Sequence, residues 1–314
     1  MKIDTGYTTT ALNQGAVGFV ERITGTRAGK PFNAVLKTQK KWERQGDPLS
    51  WRREYDLYTS GLGKIFTNDF RIPECYHAEI NENETKLWIE YVEGTSGADL
   101  TIDMYEKIAE GLGRFHGKMY AENAQFSIKN LADPNGMKNY YHYNRTKGDT
   151  YNYIRSAECK IPQHLCKMII EMDEQSDKIW EKTEQLPQVL RHGDFFPPNI
   201  FYKENEIILI DWDSAGLAPL GEDIVCLIAD NGNVENMADY YRKCVPAYMK
   251  GFSAQSKSFT MKNLHIYERI VMHYSYRLLD NENWRGEIKP PTEQENDFKT
   301  LQKIYEMGGY NEYF

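Results

Sequence analysis

Hydrophobic and polar positions change their rhythm once along this chain. In the first 93 residues, short runs rich in β-branched and aromatic residues alternate with polar turns. Residues 16–23 and 32–37 flank a turn-rich stretch from Thr24-Gly25-Thr26 to Gly29, which predicts a hairpin. Residues 51–60 have helical character and stop near Gly61. Residues 76–80 and 86–92 resume the strand pattern around Asn81-Glu82-Asn83-Glu84. The predicted order is strand, strand, helix, strand, strand.

Beyond Glu93-Gly94-Thr95-Ser96-Gly97 the period becomes helical. Thr101 is placed to cap a helix whose buried face carries Met104, Ile108, Leu112, Phe115 and Met119 at steps of three and four. Further helices are predicted at 145–157, 164–184, 219–230, 234–252, 262–280 and 293–307. Between them, 201–203 and 207–210 flank Glu204-Asn205-Glu206 as a small hairpin. The chain shows no internal repeat and no low-complexity segment. The pattern predicts an α+β protein of two lobes: an antiparallel sheet with one helix over residues 1–93, then a larger, mainly helical lobe over 94–314.

Composition narrows the partners. With 40% hydrophobic and 27% charged residues over 314 positions, the chain is that of an ordinary globular protein. A formal charge of -8 argues against nucleic acid as a partner and mildly favours a cationic substrate. The basic group Lys37, Lys40, Lys41 and Arg44 reads as solvated surface apart from Lys37. The five cysteines form no CxxC pair and no zinc spacing, so they read as reduced, buried thiols. The N-terminal segment lacks a signal peptide's apolar core, and no apolar run approaches the roughly 20 residues that span a bilayer. A cytoplasmic location and no membrane partner are expected; the oligomeric state is left open.

The informative stretch is Arg191-His192-Gly193-Asp194-Phe195-Phe196-Pro197-Pro198-Asn199, followed after the hairpin by Ile210-Asp211-Trp212-Asp213. It is a loop with an acid and an amide five residues apart, and a hairpin that returns a second acid beside them. Phosphoryl transfer needs such a set: a carboxylate to orient the acceptor hydroxyl and take its proton, and hard oxygen ligands for Mg2+ on the nucleotide phosphates. Acids and amides also serve as helix caps and turn formers, which is the plainer reading of each residue alone.

HGDFFPPN has the HGDxxxxN form of the catalytic loop of aminoglycoside phosphotransferases, choline kinases and related small-molecule kinases, and resembles the HRDxxxxN loop of protein kinases. Asp211 in IDWD falls where these families keep a metal-binding aspartate. The resemblance implies a two-lobed protein-kinase-like fold, with Asp194 as catalytic base and Asn199 and Asp211 as Mg2+ ligands. Asp213 would touch a second metal or the substrate, or brace the loop. His192 would brace the loop by hydrogen bonding, and Asp223 would accept from backbone N–H groups of its own helix or of the loop.

The same resemblance extends upstream. Ala34-Val35-Leu36-Lys37 is similar to the kinase VAIK strand, so Lys37 would bind the α- and β-phosphates with Glu54 of the next helix as its partner. Glu43 lies nearby as an alternative. Leu87-Trp88-Ile89-Glu90-Tyr91-Val92-Glu93-Gly94 resembles the segment joining kinase lobes, where the carbonyl of Glu90 and the N–H of Val92 would meet the purine edge and Ile89 would back the pocket. Backbone recognition leaves ATP and GTP unseparated. Asn13-Gln14-Gly15-Ala16-Val17-Gly18 would be the turn covering the phosphates, although it departs from GxGxxG.

The acceptor implied is a small molecule with a hydroxyl: an aminoglycoside, choline or another amino alcohol, a sugar or homoserine. Candidate pocket walls are the face of His265, Arg269 and His273, the aromatics Trp284, Tyr313 and Phe314, and the run Tyr140-Tyr141-His142-Tyr143-Asn144 ahead of a helix. Three alternatives compete. A catalytically silent nucleotide-binding relative is disfavoured by the joint presence of Lys37, Asp194, Asn199 and Asp211. A protein kinase would need the Ala-Pro-Glu segment and an activation loop. A two-metal hydrolase would need further acids or histidines.

Overall fold

The structure, a computed structural model, describes residues 6–14, 18–43, 47–67, 69–124, 136–229, 234–256, 264–279 and 291–308. Its N-terminal part is an antiparallel sheet of β1 (Thr8–Gln14), β2 (Gly18–Arg27), β3 (Lys30–Lys40), β5 (Cys75–Ile80) and β6 (Glu84–Glu90) in the order β1-β2-β3-β6-β5. The strands extend two to four residues beyond several of the predicted runs, and β1 adds one that its polar sequence, Thr8-Thr9-Thr10, did not mark. Lys37 sits on the central strand, opposite Val20 on one side and Leu87 on the other. One short helix, α1 (Arg53–Thr59), packs against this sheet after a turn of 3-10 helix at Ser50–Arg52.

The rest is mainly helical. Helix α2 (Ile102–Ala121) is capped as the sequence predicts, the Thr101 hydroxyl accepting from Met104 N–H at 3.4 Å. It lies against α7 (Met237–Gln255) at unusually short range. A Cβ added at Gly113 would stand 2.1 Å from the Tyr248 carbonyl oxygen, and one at Gly251 2.1 Å from that of Glu110, so the two glycines permit the crossing. Around this pair stand α3 (Met137–Thr146), α4 (Thr150–Tyr153), α5 (Gln163–Glu184), α6 (Glu222–Ala229), α8 (Ile266–Leu278) and α9 (Pro291–Met307). The predicted helix at 145–157 is displaced: Tyr140 to Asn144 do not precede a helix but form α3, and a break at Lys147–Asp149 separates it from α4.

Asp173 of α5 ties these helices together. Its carboxylate, 3% exposed, accepts from Tyr141 and Tyr276 hydroxyls at 2.5 and 3.0 Å and from Arg145 and Arg155 at 2.6 and 2.9 Å. Burial raises the carboxyl pKa, but the Arg145 and tyrosine donors outweigh it and hold the group below its ordinary value.

Two small sheets frame the segment from His192 to Asp211. β7 (Gln188–Arg191) pairs with β10 (Gly216–Pro219), and the hairpin β8 (Ile200–Lys203) and β9 (Glu206–Leu209) is joined by a strand from earlier in the chain, β4 (Phe70–Arg71), which runs parallel to β9. Phe70 is buried there against Phe115, ring centroids 4.8 Å apart. Arg71 continues the link: it holds Glu90 at 2.6 Å and Glu206 at 2.5 Å, one acid from each side of the cleft. The connecting segment is stitched to the hairpin as well, Thr95 and Tyr202 exchanging N–H to carbonyl bonds at 3.0 and 2.9 Å. No disulfide joins the five cysteines; Cys166, Cys226 and Cys244 are buried as expected, whereas Cys75, on the edge strand β5, and Cys159, between α4 and α5, are only half-buried. No helix among the described residues is long and apolar enough to cross a membrane.

Candidate active site

The loop between β7 and β8 begins at a backbone turn only glycine adopts easily. Gly193 has φ +88°, and a Cβ there would stand 2.4 Å from the Ser214 carbonyl oxygen. The turn is held by Asp223 of α6, whose two carboxylate oxygens accept from the N–H groups of His192 and Gly193 at 2.9 and 3.0 Å. Asp223 therefore serves the loop and not its own helix end. Burial pushes its carboxyl up to about 6, the two N–H donors pulling the other way.

His192 locks the two acid-bearing segments together. Its Nδ1 accepts from Asp194 N–H at 3.2 Å, so Nε2 carries the proton and donates to the Ile210 carbonyl at 2.9 Å. Burial pulls the imidazole down to about 4, and at neutral pH it is a neutral linker, as its place in the motif implied. Its ring packs against Trp212, centroids 4.4 Å apart.

Asn199 closes the loop. Its Nδ2 donates to the Asp194 carbonyl at 3.1 Å, while its own carbonyl accepts from Ile210 N–H at 3.1 Å. With the amide nitrogen committed to protein, Oδ1 is the atom of Asn199 suited to a hard cation. Asp211 follows Ile210 directly and sits in the left-handed region at φ 64°, a strained conformation for a non-glycine residue that turns its carboxylate toward Lys37. An amide oxygen and a carboxylate on adjacent ends of one hairpin are the hard oxygen donors that would suit Mg2+, leaving its other positions for phosphate and water.

Lys37 contacts both Glu54, at 2.5 Å, and Asp211. The structure thus places Glu54, and not Glu43, beside the lysine. Burial draws the ammonium toward neutrality, but the carboxylates of Glu54, Asp211 and Asp213 outweigh it and hold its pKa above the usual lysine value. Glu54 also reaches the catalytic segment, its Oε1 accepting from Trp212 N–H at 3.3 Å.

At the connecting segment Ile89 and Val92 are buried, and Glu90 turns its side chain away to Arg71 and to Glu74 N–H at 3.0 Å. The turn at 13–18 includes residues 15–17, which lie outside the described residues, as do Trp284, Tyr313 and Phe314.

A cavity of about 450 Å3 opens beside Asp194 and Asp213. Of the predicted acceptor face, His273 lines it, together with Tyr140, whose ring lies 5.3 Å from the imidazole. Arg269 is instead buried, donating to the Leu220 carbonyl at 2.7 Å, and His265 pairs with Glu268 at 3.3 Å. Tyr141 points into the core at Asp173. The sequence reading missed Arg277, one turn beyond His273 on the same helix, and Arg53, the neighbour of Glu54. Extending the stripe of His265, Arg269 and His273 by one more step of four reaches Arg277; Arg53 carried no comparable signal.

Comparison with known proteins agrees with this fold. A family model described as the phosphotransferase enzyme family matches residues 36–251, well over half of the chain. No curated protein sequence matches it. Among solved structures, the chain is similar to amicoumacin kinase hAmiN in complex with AMP-PNP, Ca2+ and Ami (TM-score 0.60, 16% identity, 95% of this chain and 88% of that one). A choline kinase from Cryptosporidium parvum (TM-score 0.55, 12% identity, 97% and 89%) is also similar. So is the GDP complex of aminoglycoside 2'-phosphotransferase-IIIa (TM-score 0.55, 11% identity, 98% and 94%). At such identities these structures establish the two-lobed, protein-kinase-like fold.

Proposed function

Since this chain belongs to the phosphotransferase enzyme family, we propose that it moves the γ-phosphoryl group of Mg-ATP or Mg-GTP to a hydroxyl of a small molecule. The chain is a small-molecule kinase. The observation that carries it is the joining of Lys37, Glu54, Asp211, His192, Asp194 and Asn199 in one bonded chain across the cleft.

In this reading the Asp194 carboxylate orients the acceptor hydroxyl and takes its proton as the oxygen attacks phosphorus. Asn199 Oδ1 and Asp211 would hold Mg2+, which when bound neutralises charge on the β- and γ-phosphates. Lys37 would move from Asp211 to the phosphates, with Glu54 keeping its ammonium in place. Glu90 and Val92 would present a main-chain carbonyl and N–H to the purine, a mode that serves ATP and GTP alike. Asp213, within the electrostatic reach of Lys37 and on the cavity wall, would stand between nucleotide and acceptor.

Acceptor classes to be tried are aminoglycosides, other amino alcohols, sugars and hydroxy amino acids. The test is ADP and GDP release by the purified protein with Mg2+ across such a panel, with Asp194→Ala as control. Release that requires one acceptor and disappears in the variant is expected. Release that persists unchanged in Asp194→Ala would remove that residue from the role of base.

A further inference from the structure

The cavity beside Asp194 differs in charge from what a polycation would require. Its lining includes three aspartates, Asp47, Asp194 and Asp213, but also three arginines, Arg53, Arg191 and Arg277, and the imidazole of His273. A receptor for a molecule with several ammonium groups gains from an excess of acids, and among the described residues of this lining the aspartates do not outnumber the arginines.

The charges are also sorted by position. Arg53 pairs with Asp47 and donates to the Ala215 carbonyl at 2.9 Å, and both side chains are buried. Arg191 is balanced by Glu222 at 3.1 Å and donates to the Ser214 carbonyl at 3.2 Å. The other charged groups of the lining divide between two walls. Asp194 and Asp213 stand on the catalytic side, where phosphate would lie. His273 and Arg277 stand on α8, one helical turn apart and so on one face, with the half-buried Tyr140 beside the imidazole.

Resting on the phosphotransferase reading above, we propose that the acceptor carries an oxyanion, a carboxylate or a phosphate, in addition to the hydroxyl offered to Asp194, and that Arg277 with His273 and Tyr140 recognises it. A guanidinium meets either oxyanion through paired N–H donors, and the tyrosine hydroxyl supplies a further donor. Holding the oxyanion at the α8 wall keeps it apart from the γ-phosphate, and the Arg277 guanidinium there offsets the repulsion between two anions in one cleft. At about 450 Å3 the cavity lies in the lower half of the range of roughly 300 to 1,000 Å3 usual for small-molecule sites. That suits a compact hydroxy acid or sugar phosphate.

The experiment measures nucleotide-dependent phosphorylation of matched acceptors by the full chain: serine, homoserine and 4-hydroxybutyrate against their carboxamides, glucose 6-phosphate against glucose, and kanamycin and choline as cationic comparators. Mg-ATP binding is titrated on the same preparations. Turnover of an oxyanion acceptor well above its neutral counterpart is expected, and the carboxylate and phosphate arms tell which oxyanion is read. Arg277→Gln, an exposed position, should raise KM for that acceptor by about tenfold or more, with a much smaller effect on kcat and none on its neutral counterpart. Arg277→Lys should recover part of the loss.

Kanamycin or choline outperforming every oxyanion acceptor would overturn the inference and leave the kinase standing. So would equal effects of Arg277→Gln on charged and neutral partners, or silence with all oxyanion acceptors while Mg-ATP still binds. Failure of Mg-ATP to bind at all would strike the phosphotransferase reading itself.

Discussion

Glu54 accepts a hydrogen bond from the backbone N–H of Trp212, 158 positions later in the chain, at 3.3 Å. The same carboxylate holds Lys37 at 2.5 Å, so one side chain of α1 reads the position of both the nucleotide-side lysine and the segment that carries Asp211. Glu54→Gln keeps an oxygen for Trp212 and loses the charge opposite Lys37. It should raise KM for the nucleotide more than it lowers thermal stability. Glu54→Ala removes both contacts and leaves the buried ammonium to Asp211 and Asp213 without the carboxylate that positions it, so kcat/KM should fall about a hundredfold or more. Steady-state kinetics and a melting curve on both variants check this. Equal kinetics for Gln and wild type would show that the charge is idle.

Asp194 and Asp211 should fail differently. Asp194→Ala is expected to lower kcat by about 10² to 10⁴, the usual contribution of a positioned base, with nucleotide affinity little changed. Asp211→Ala should abolish Mg-dependent nucleotide binding. Titrating a fluorescent nucleotide with and without Mg2+ separates the two, and the same defect in both variants would contradict the division of labour.

Gly193→Ala should destabilise the protein and inactivate it together. Positive φ on a non-glycine residue costs of order 1–3 kcal/mol, and here the new methyl also meets the Ser214 carbonyl at 2.4 Å. Gly97, at φ +62° with nothing within 4 Å, supplies the conformational cost without the collision. Urea unfolding should rank Gly193→Ala well below Gly97→Ala. Similar midpoints would mean that the loop yields easily.

Acidification should weaken the fold before most carboxylates titrate. Burial holds His116 down to about 3 and His192 to about 4, against 6.5 for an ordinary histidine. His116 is kept neutral between the Tyr248 hydroxyl at 2.8 Å and the Leu190 carbonyl at 3.1 Å, so its 3.9 Å approach to Asp223 is no ion pair at neutral pH. Between pH 6.5 and 4 the unfolded chain takes up protons at both histidines that the folded chain refuses, and stability falls as pH drops through that window. Asp223 acts in the opposite sense. Its pKa of about 6 exceeds the ordinary 3.8, so its contribution is full at low pH and is lost as pH rises through 6. Two histidines outweigh one carboxyl. The urea midpoint should decline from pH 6.5 to 4, and His116→Gln should flatten the decline; a midpoint that climbed on acidification would reverse the sign.

Much of the catalytic segment was legible because its chemistry is local. Asp194, Asn199, Asp211 and His192 lie within twenty residues, and the hairpin between them shows as two apolar runs around Glu204-Asn205-Glu206. Lys37 and Glu54 were found by matching a strand and the helix after it. The proposed acceptor wall was harder. Nothing in the spacing of Arg269 and His273 says that one donates into the core and the other faces a cavity, because that depends on how α8 is rotated against α3 and α6. The polar strand β1 and the two-residue β4 were invisible for a related reason: partners elsewhere in the chain, and not their own periodicity, make them strands.

Strand β4 has a bearing on any attempt to divide the protein. A cut near residue 93 would separate Phe70 and Arg71 from Ile207 and Ile208, their parallel partners on β9. The C-terminal fragment would then present an apolar strand margin to solvent, and such margins recruit other chains. Produced alone, it should aggregate; produced alongside the N-terminal fragment, it should be rescued into a soluble heterodimer, with the two halves complementing one another as a split enzyme.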